Sequence, residues 1–208
     1  MYQELFDEVI RFVREKNCHE IDYHEGTPYS IDDIKRMEDT LGCEAPLALK
    51  EYWQEMGYNS GLRWIFADSE ESAAANFVIH GPNEIIEYHA YSVEQHHRLI
   101  QDNVLKNPKG TRVSARRALK YFNVIAEGNG DLIAIDAETD FVVFNDHEWE
   151  CDNGYVMGDN FYDFMKKWSL VCWQIPRSLG WWECSGIHGI NFNSPEFDAK
   201  FKRSRFIW

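Results

Sequence analysis

The sequence predicts a fold that segregates helices from strands along the chain: helices first, then a run of strands, then a closing helix. Three observations predict it. Leu5, Phe6, Val9, Ile10 and Val13 recur at helical spacing with charges between them. Asn129-Gly130 stands between the apolar runs Tyr121 to Glu127 and Asp131 to Asp136, and such a pair supplies the positive φ angles of a tight hairpin. The 208 residues are 44% apolar, enough for one substantial core that removes roughly 70% of the unfolded chain's surface from water.

Taken in order, residues 2–16 form an amphipathic helix. Ser30-x-x-Asp33 is a helix start, and the second helix buries Ile34, Met37 and Leu41 before stopping at Gly42. Pro46 suits the first turn of a third helix carrying Leu47, Leu49, Tyr52 and Trp53. Arg63 to Ala67 and Asn76 to His80 read as paired strands. Pro82 to Tyr91 and Val93 to Leu105 read as helices, with a turn at Asn107 to Gly110. After the Asn-Gly hairpin, Phe141 to Phe144 adds a strand, and Phe161, Phe164, Met165 and Trp168 give the last helix its buried face.

Charge is segregated along this order. Between Lys120 and Lys166 lie Glu127, Asp131, Asp136, Glu138, Asp140, Asp146, Glu148, Glu150, Asp152, Asp159 and Asp163, with no Lys or Arg among them. This segment carries −11 of the net −14. Crowded carboxylates repel one another unless a cation benefits from them, so the segment fits a surface that receives a basic partner. One alternative is internal neutralisation by the upstream basic block Lys106, Lys109, Arg112, Arg116, Arg117 and Lys120. Lys200, Lys202, Arg203 and Arg205 form a second basic cluster, too small in a chain of this sign for a phosphate-binding surface, so nucleic acid is not the expected partner.

Asp146, Glu148, Glu150 and Asp152 alternate with His147, Trp149 and Cys151, which on an extended strand places the four acids on one face. Trp149 is a candidate anchor or cation–π partner beside them. Calcium competes for such acids, but the sixth position from Asp146 is Cys151 where a helix–loop–helix calcium loop requires Gly. Cys184-x-x-x-His188 with Cys172 lacks the paired close spacings of structural zinc. His89, His96 and His97 lie on a helical stretch and receive no role. Gly57-Tyr58-Asn59-Ser60-Gly61 has its Ser one place late for a nucleophile elbow, and there is no phosphate loop. No catalytic residue, metal or cofactor is therefore expected, with a carboxylate-rich metal-dependent hydrolase as an alternative. The opening residues lack a secretion signal, no apolar run suffices to span a bilayer, and five widely spaced cysteines suit reduced thiols, so a cytoplasmic, membrane-free location is expected.

The series Ile31-x-x-Ile34-x-x-Met37-Glu38-x-x-Leu41-Gly42-x-x-Ala45-Pro46-x-x-Leu49-Lys50-x-Tyr52-Trp53 resembles the helical start of the SUKH superfamily. Glu127 to Asp136, Val142-Val143-Phe144-x-x-Asp146-His147-Glu148 and Phe161-x-x-Phe164-Met165-x-x-Trp168 are similar to that family's hairpin, following strand and closing helix. The resemblance implies an α+β domain whose central, mainly antiparallel β-sheet has helices packed against it. It implies one domain over 1–208, with a helical start to about 56, an insertion over about 81–120, the core hairpin and closing helix over about 121–172, and an extension over 173–208. It also implies function by binding. Bacterial members neutralise cognate toxins, often nucleases with basic surfaces, whereas fungal members are cell-wall assembly regulators that bind host proteins, which is the alternative here. The expected contact residues are Asp140, Asp146, Glu148, Trp149, Glu150 and Asp152, which have no evident duty in the fold.

Overall fold

In the computed structural model, the residues described are 1–15, 20–65, 74–99, 105–106, 112–113, 119–127, 130–145, 154–174, 185–186 and 189–190. The chain opens with α1 (Tyr2–Glu15), whose Tyr2, Phe6, Val9 and Val13 are buried at helical spacing. It continues through β1 (Glu20–His24) to α2 (Ile31–Leu41). The Asp33 N–H donates to Ser30 Oγ at 3.3 Å, and Gly42 closes the helix at φ 69° with its N–H on the Glu38 carbonyl. The expected start and stop of this helix are both present. Helix α3 (Leu47–Met56) follows, with Pro46 just outside it at the capping position.

Strands β2 (Gly61–Ile65) and β3 (Ala74–Val78) pair antiparallel, as expected, but begin two residues earlier than the sequence pattern suggested. Leu62 and Trp64 face the core while Arg63 points out, so the inward alternation starts at the turn itself. Strand β1, which was not among the expected elements, pairs with β2 and completes a sheet ordered β1-β2-β3. The two expected helices over 82–105 are one, α4 (Pro82–Leu99). Ser92 does not interrupt it; its hydroxyl is buried and accepts from Asn123 Nδ2 at 3.5 Å. Leu105 belongs to a two-residue strand, β4 (Leu105–Lys106), paired with β5 (Arg112–Val113), and the turn expected between them lies outside the described residues.

The second sheet is ordered β6-β7-β8-β9, from β6 (Tyr121–Ala126), β7 (Leu132–Asp136), β8 (Val142–Asn145) and β9 (Tyr155–Gly158). Helix α5 (Phe161–Ser169) then buries Phe161, Phe164, Met165 and Trp168, as expected. Short strands β10 (Ser185–Gly186) and β11 (Gly189–Ile190) pair beyond it. The β6–β7 loop is one residue longer than an Asn-Gly two-residue turn. Glu127 N–H donates to the Asp131 carbonyl, Gly130 N–H to the Glu127 carbonyl, and Gly130 takes φ 98°. The architecture is α+β with antiparallel sheets.

Helices α1, α3 and α5 pack together, α2 lies on α4, and α4 on β6. Their shared core is aromatic: Trp53, Trp64, Trp168 and Trp173 are fully buried. The Phe6 ring centre lies 4.3 Å from that of Trp173, and the Phe77 ring centre 4.8 Å from that of Trp168, both pairs tilted, which ties α1, β3 and α5 into one body. Each fully buried ring of this size contributes about 2 kcal/mol. The chain leaving α5 takes positive φ at Cys172 and Trp173, two residues that rarely adopt it. Three indole N–H groups hold that segment: Trp64 to the Cys172 carbonyl, Trp168 to the Gln174 carbonyl, and Trp173 back to the Met165 carbonyl.

Candidate partner-binding surface

The acidic segment divides in the structure. Asp131 and Asp136 are 0% and 3% exposed, so they belong to the sheet's interior. Asp136 Oδ1 accepts the Glu138 N–H at 2.9 Å and so organises the turn between β7 and β8. Asp163 sits in the first turn of α5, accepts the Asp159 N–H at 3.0 Å, and pairs with Lys167. Glu138 pairs with Lys120 at 2.6 Å, and that hydrogen bond holds the Lys120 ammonium above its usual value. Internal neutralisation by the upstream basic block is thus realised between Glu138 and Lys120.

Of the six expected contact residues, Asp140 is described; Asp146, Glu148, Trp149, Glu150 and Asp152 lie outside the described residues. The ladder of alternating acids inferred for them lies there too. The described flanks locate where that segment departs. Asn145 stands opposite Leu132, and Gly154 N–H donates to the Phe144 carbonyl, so the chain leaves and rejoins the sheet beside the β6–β7 hairpin. Asp140 occupies the other end of the sheet, in the β7–β8 turn.

Asp140 also has a duty in the fold that its sequence position did not reveal. It takes φ 60°, its N–H donates to the Asp136 carbonyl at 2.8 Å, and the Asp136 N–H donates to the Phe141 carbonyl across the turn. This left-handed position is one that Asp and Asn tolerate better than other non-glycine residues. Its carboxylate remains exposed and lines a cleft with Leu47, Ala48 and Glu51 of α3 and Asn160 and Tyr162 at the start of α5. Glu51 was not singled out by sequence, and Leu47, expected among the apolar residues the third helix carries, is instead at the surface. The signal was available: Leu49, Tyr52, Trp53 and Met56 make the buried stripe of α3, and Leu47 falls off it, 70% exposed.

The other candidate groups have structural explanations. Ser60 is buried, with its Oγ 2.8 Å from the Tyr52 hydroxyl and 3.2 Å from the Gly57 carbonyl it donates to. Burial pushes the Cys172 thiol up to about 12, which leaves it protonated and unreactive at neutral pH. His89 is half-buried and held below its usual value by that burial. Cys184, His188 and the side chains of His96 and His97 lie outside the described residues. Among the described residues, no group of three or more His, Cys, Asp or Glu is disposed to hold a metal ion, and no helix is long and apolar enough to cross a membrane.

The fold is α+β, and its described surface offers exposed charge and a cleft. Residues 28–167 match the model of the SMI1 / KNR4 family (SUKH-1), and the chain belongs to that family. The match begins after β1, so α1 and β1 precede the matched region, yet both are packed into the same core. Comparison with curated proteins gives no match.

Proposed function

We propose that this SUKH-type protein is a non-catalytic immunity protein that neutralises a basic, nuclease-like protein toxin by direct binding in the cytoplasm. The observation that carries this reading is the concentration of −11 of the net −14 charge in one segment without a Lys or Arg, within the family-matched region. A nuclease presents a basic surface to its phosphate substrate, and an acidic inhibitor is steered to that surface and occludes it. Asp131 and Asp136 serve the fold, so the partner-facing charge falls to Asp146, Glu148, Glu150 and Asp152, with Trp149 as the apolar anchor, and to Asp140 at the opposite end of the sheet. Cys43 and Cys172 are free thiols, in keeping with a reducing compartment.

The reading is tested by co-expression with the toxin encoded by the adjacent gene. Cells carrying both proteins survive, and cells carrying the toxin alone do not. Death in both cases, with the protein folded and abundant, removes the proposal.

A further inference from the structure

We propose that the cleft between the first turn of α3, the start of α5 and the β7–β8 turn is a docking site for an extended segment of a partner protein that presents an arginine beside an apolar residue. The inference rests on the binding reading above and narrows what the partner must offer. Three features of the cleft specify this occupant.

Leu47 is 70% exposed on the cleft wall, with the half-buried Ala48 and Tyr162 beside it. A leucine held in water at the lip of a concavity gains by covering, which calls for an apolar residue on the occupant. Glu51 and Asp140 are exposed and line the same cleft, and within the described residues neither carboxylate is engaged in an ion pair; the Met1 ammonium, which also lines it, is held by Glu55 at 2.7 Å. They approach from different elements, a helix and a turn. Two exposed carboxylates on the walls of one cleft call for a cation, and a planar guanidinium, with donors on several edges, serves groups from different elements better than a point charge does.

The third feature is the start of α3. Pro46 occupies its capping position and has no side-chain acceptor to offer, and the first bonds into the helix run from Leu49 and Lys50 N–H to the Pro46 carbonyl. The N–H groups of Leu47 and Ala48 precede that ladder on residues lining the cleft. An extended peptide brings main-chain carbonyls to such groups. Carboxylates beside N–H groups that lie outside the helix ladder are therefore the complement of a backbone carrying a cationic side chain, and not of a free anion.

The test uses the isotope-labelled full chain and two probes: acetyl-Gly-Leu-Arg-Leu-Gly-amide and the same peptide with citrulline for arginine. Citrulline keeps the shape and removes the charge. Titration with the arginine peptide is expected to shift the amide resonances of Leu47, Ala48, Glu51, Asp140 and Tyr162 together, with no matching response to the citrulline peptide. In the double variant Glu51→Gln, Asp140→Asn the dissociation constant rises by about fivefold or more, as for loss of exposed charge contacts. Asn is chosen at position 140 because it accepts the left-handed turn conformation, so the fold is kept. Absent shifts, equal shifts with citrulline, or an unchanged constant in the double variant overturns the docking site. Shifts confined to residues 146–152 overturn it too, while leaving the immunity reading intact, and that reading stands or falls separately on toxin rescue.

Discussion

The His80 N–H donates to the Val124 carbonyl at 2.8 Å. Val124 is the residue left unopposed in the β6–β7 ladder, where the register steps from Asn123↔Ala134 to Ile125↔Ile133. The bulge turns that carbonyl away from β7 and toward the chain leaving β3, so one irregular residue joins the three-stranded sheet to the four-stranded one. The His80 carbonyl accepts from Trp53 Nε1 at 3.0 Å, which brings α3 to the same junction.

The junction should be sensitive to acid. Burial holds the His80 imidazole below its usual value of 6.5, against smaller opposing effects of the Asn123 carbonyl and Glu84. Its Nδ1 lies 2.9 Å from the Asn123 carbonyl, which only accepts, so the neutral ring is protonated there, while its face stacks on Tyr88. The folded value lies below the unfolded one, so the unfolded chain binds the proton first. The His80 contribution is fully present above the unfolded value and is lost as pH falls toward the folded one. Urea midpoints measured across that range should fall with acid in the native protein and fall less steeply in His80→Gln.

The glycines at either end of the α2–β2 region should respond differently to alanine. At Gly42 a Cβ meets nothing within 4 Å, so Gly42→Ala costs only the left-handed backbone, about 1 kcal/mol. At Gly61 the added carbon lies 2.1 Å from the Phe77 carbonyl, so the β2–β3 pair must separate. Thermal melting should show a modest drop for the first variant and loss of the cooperative transition for the second.

Trp64→Phe keeps most of the ring in the core but removes the donor that the buried Cys172 carbonyl receives at 2.8 Å. Leaving that acceptor unpaired costs about 1–3 kcal/mol, more than the shape change alone. Equilibrium denaturation measures it, and a cost near zero would show that the indole bond is not what holds the positive-φ segment.

Removing the Ser30 hydroxyl takes the acceptor from the Asp33 N–H at the head of α2. Ser30→Ala should cost about 1 kcal/mol in the same assay, with Ser30→Asp close to neutral.

The helices were legible because their signals are local: a capping hydroxyl at Ser30, a left-handed stop at Gly42, and apolar stripes in α1 and α5. Strand β1 was not, since its alternating Glu20, Ile21, Asp22, Tyr23 and His24 gain meaning only from pairing with β2. The division of α4 failed because Ser92 finds its hydrogen-bond partner on a distant strand. Charge clustering was plain in the sequence, but that Asp136 turns inward was not: it differs from Asp140 only in where the turn between β7 and β8 places it. The cleft was invisible for the same reason, being assembled from a helix start, a strand turn and a second helix start far apart in the chain.

The central claim is that the outward acids receive a basic toxin, and calorimetric titration of that toxin into the native protein and into Asp146→Asn, Glu148→Gln, Glu150→Gln, Asp152→Asn tests it most directly. The account expects weaker binding by the variant, with the gap widest at low salt because screening shortens the reach of exposed charge. Equal affinity of the two proteins at low salt would contradict it.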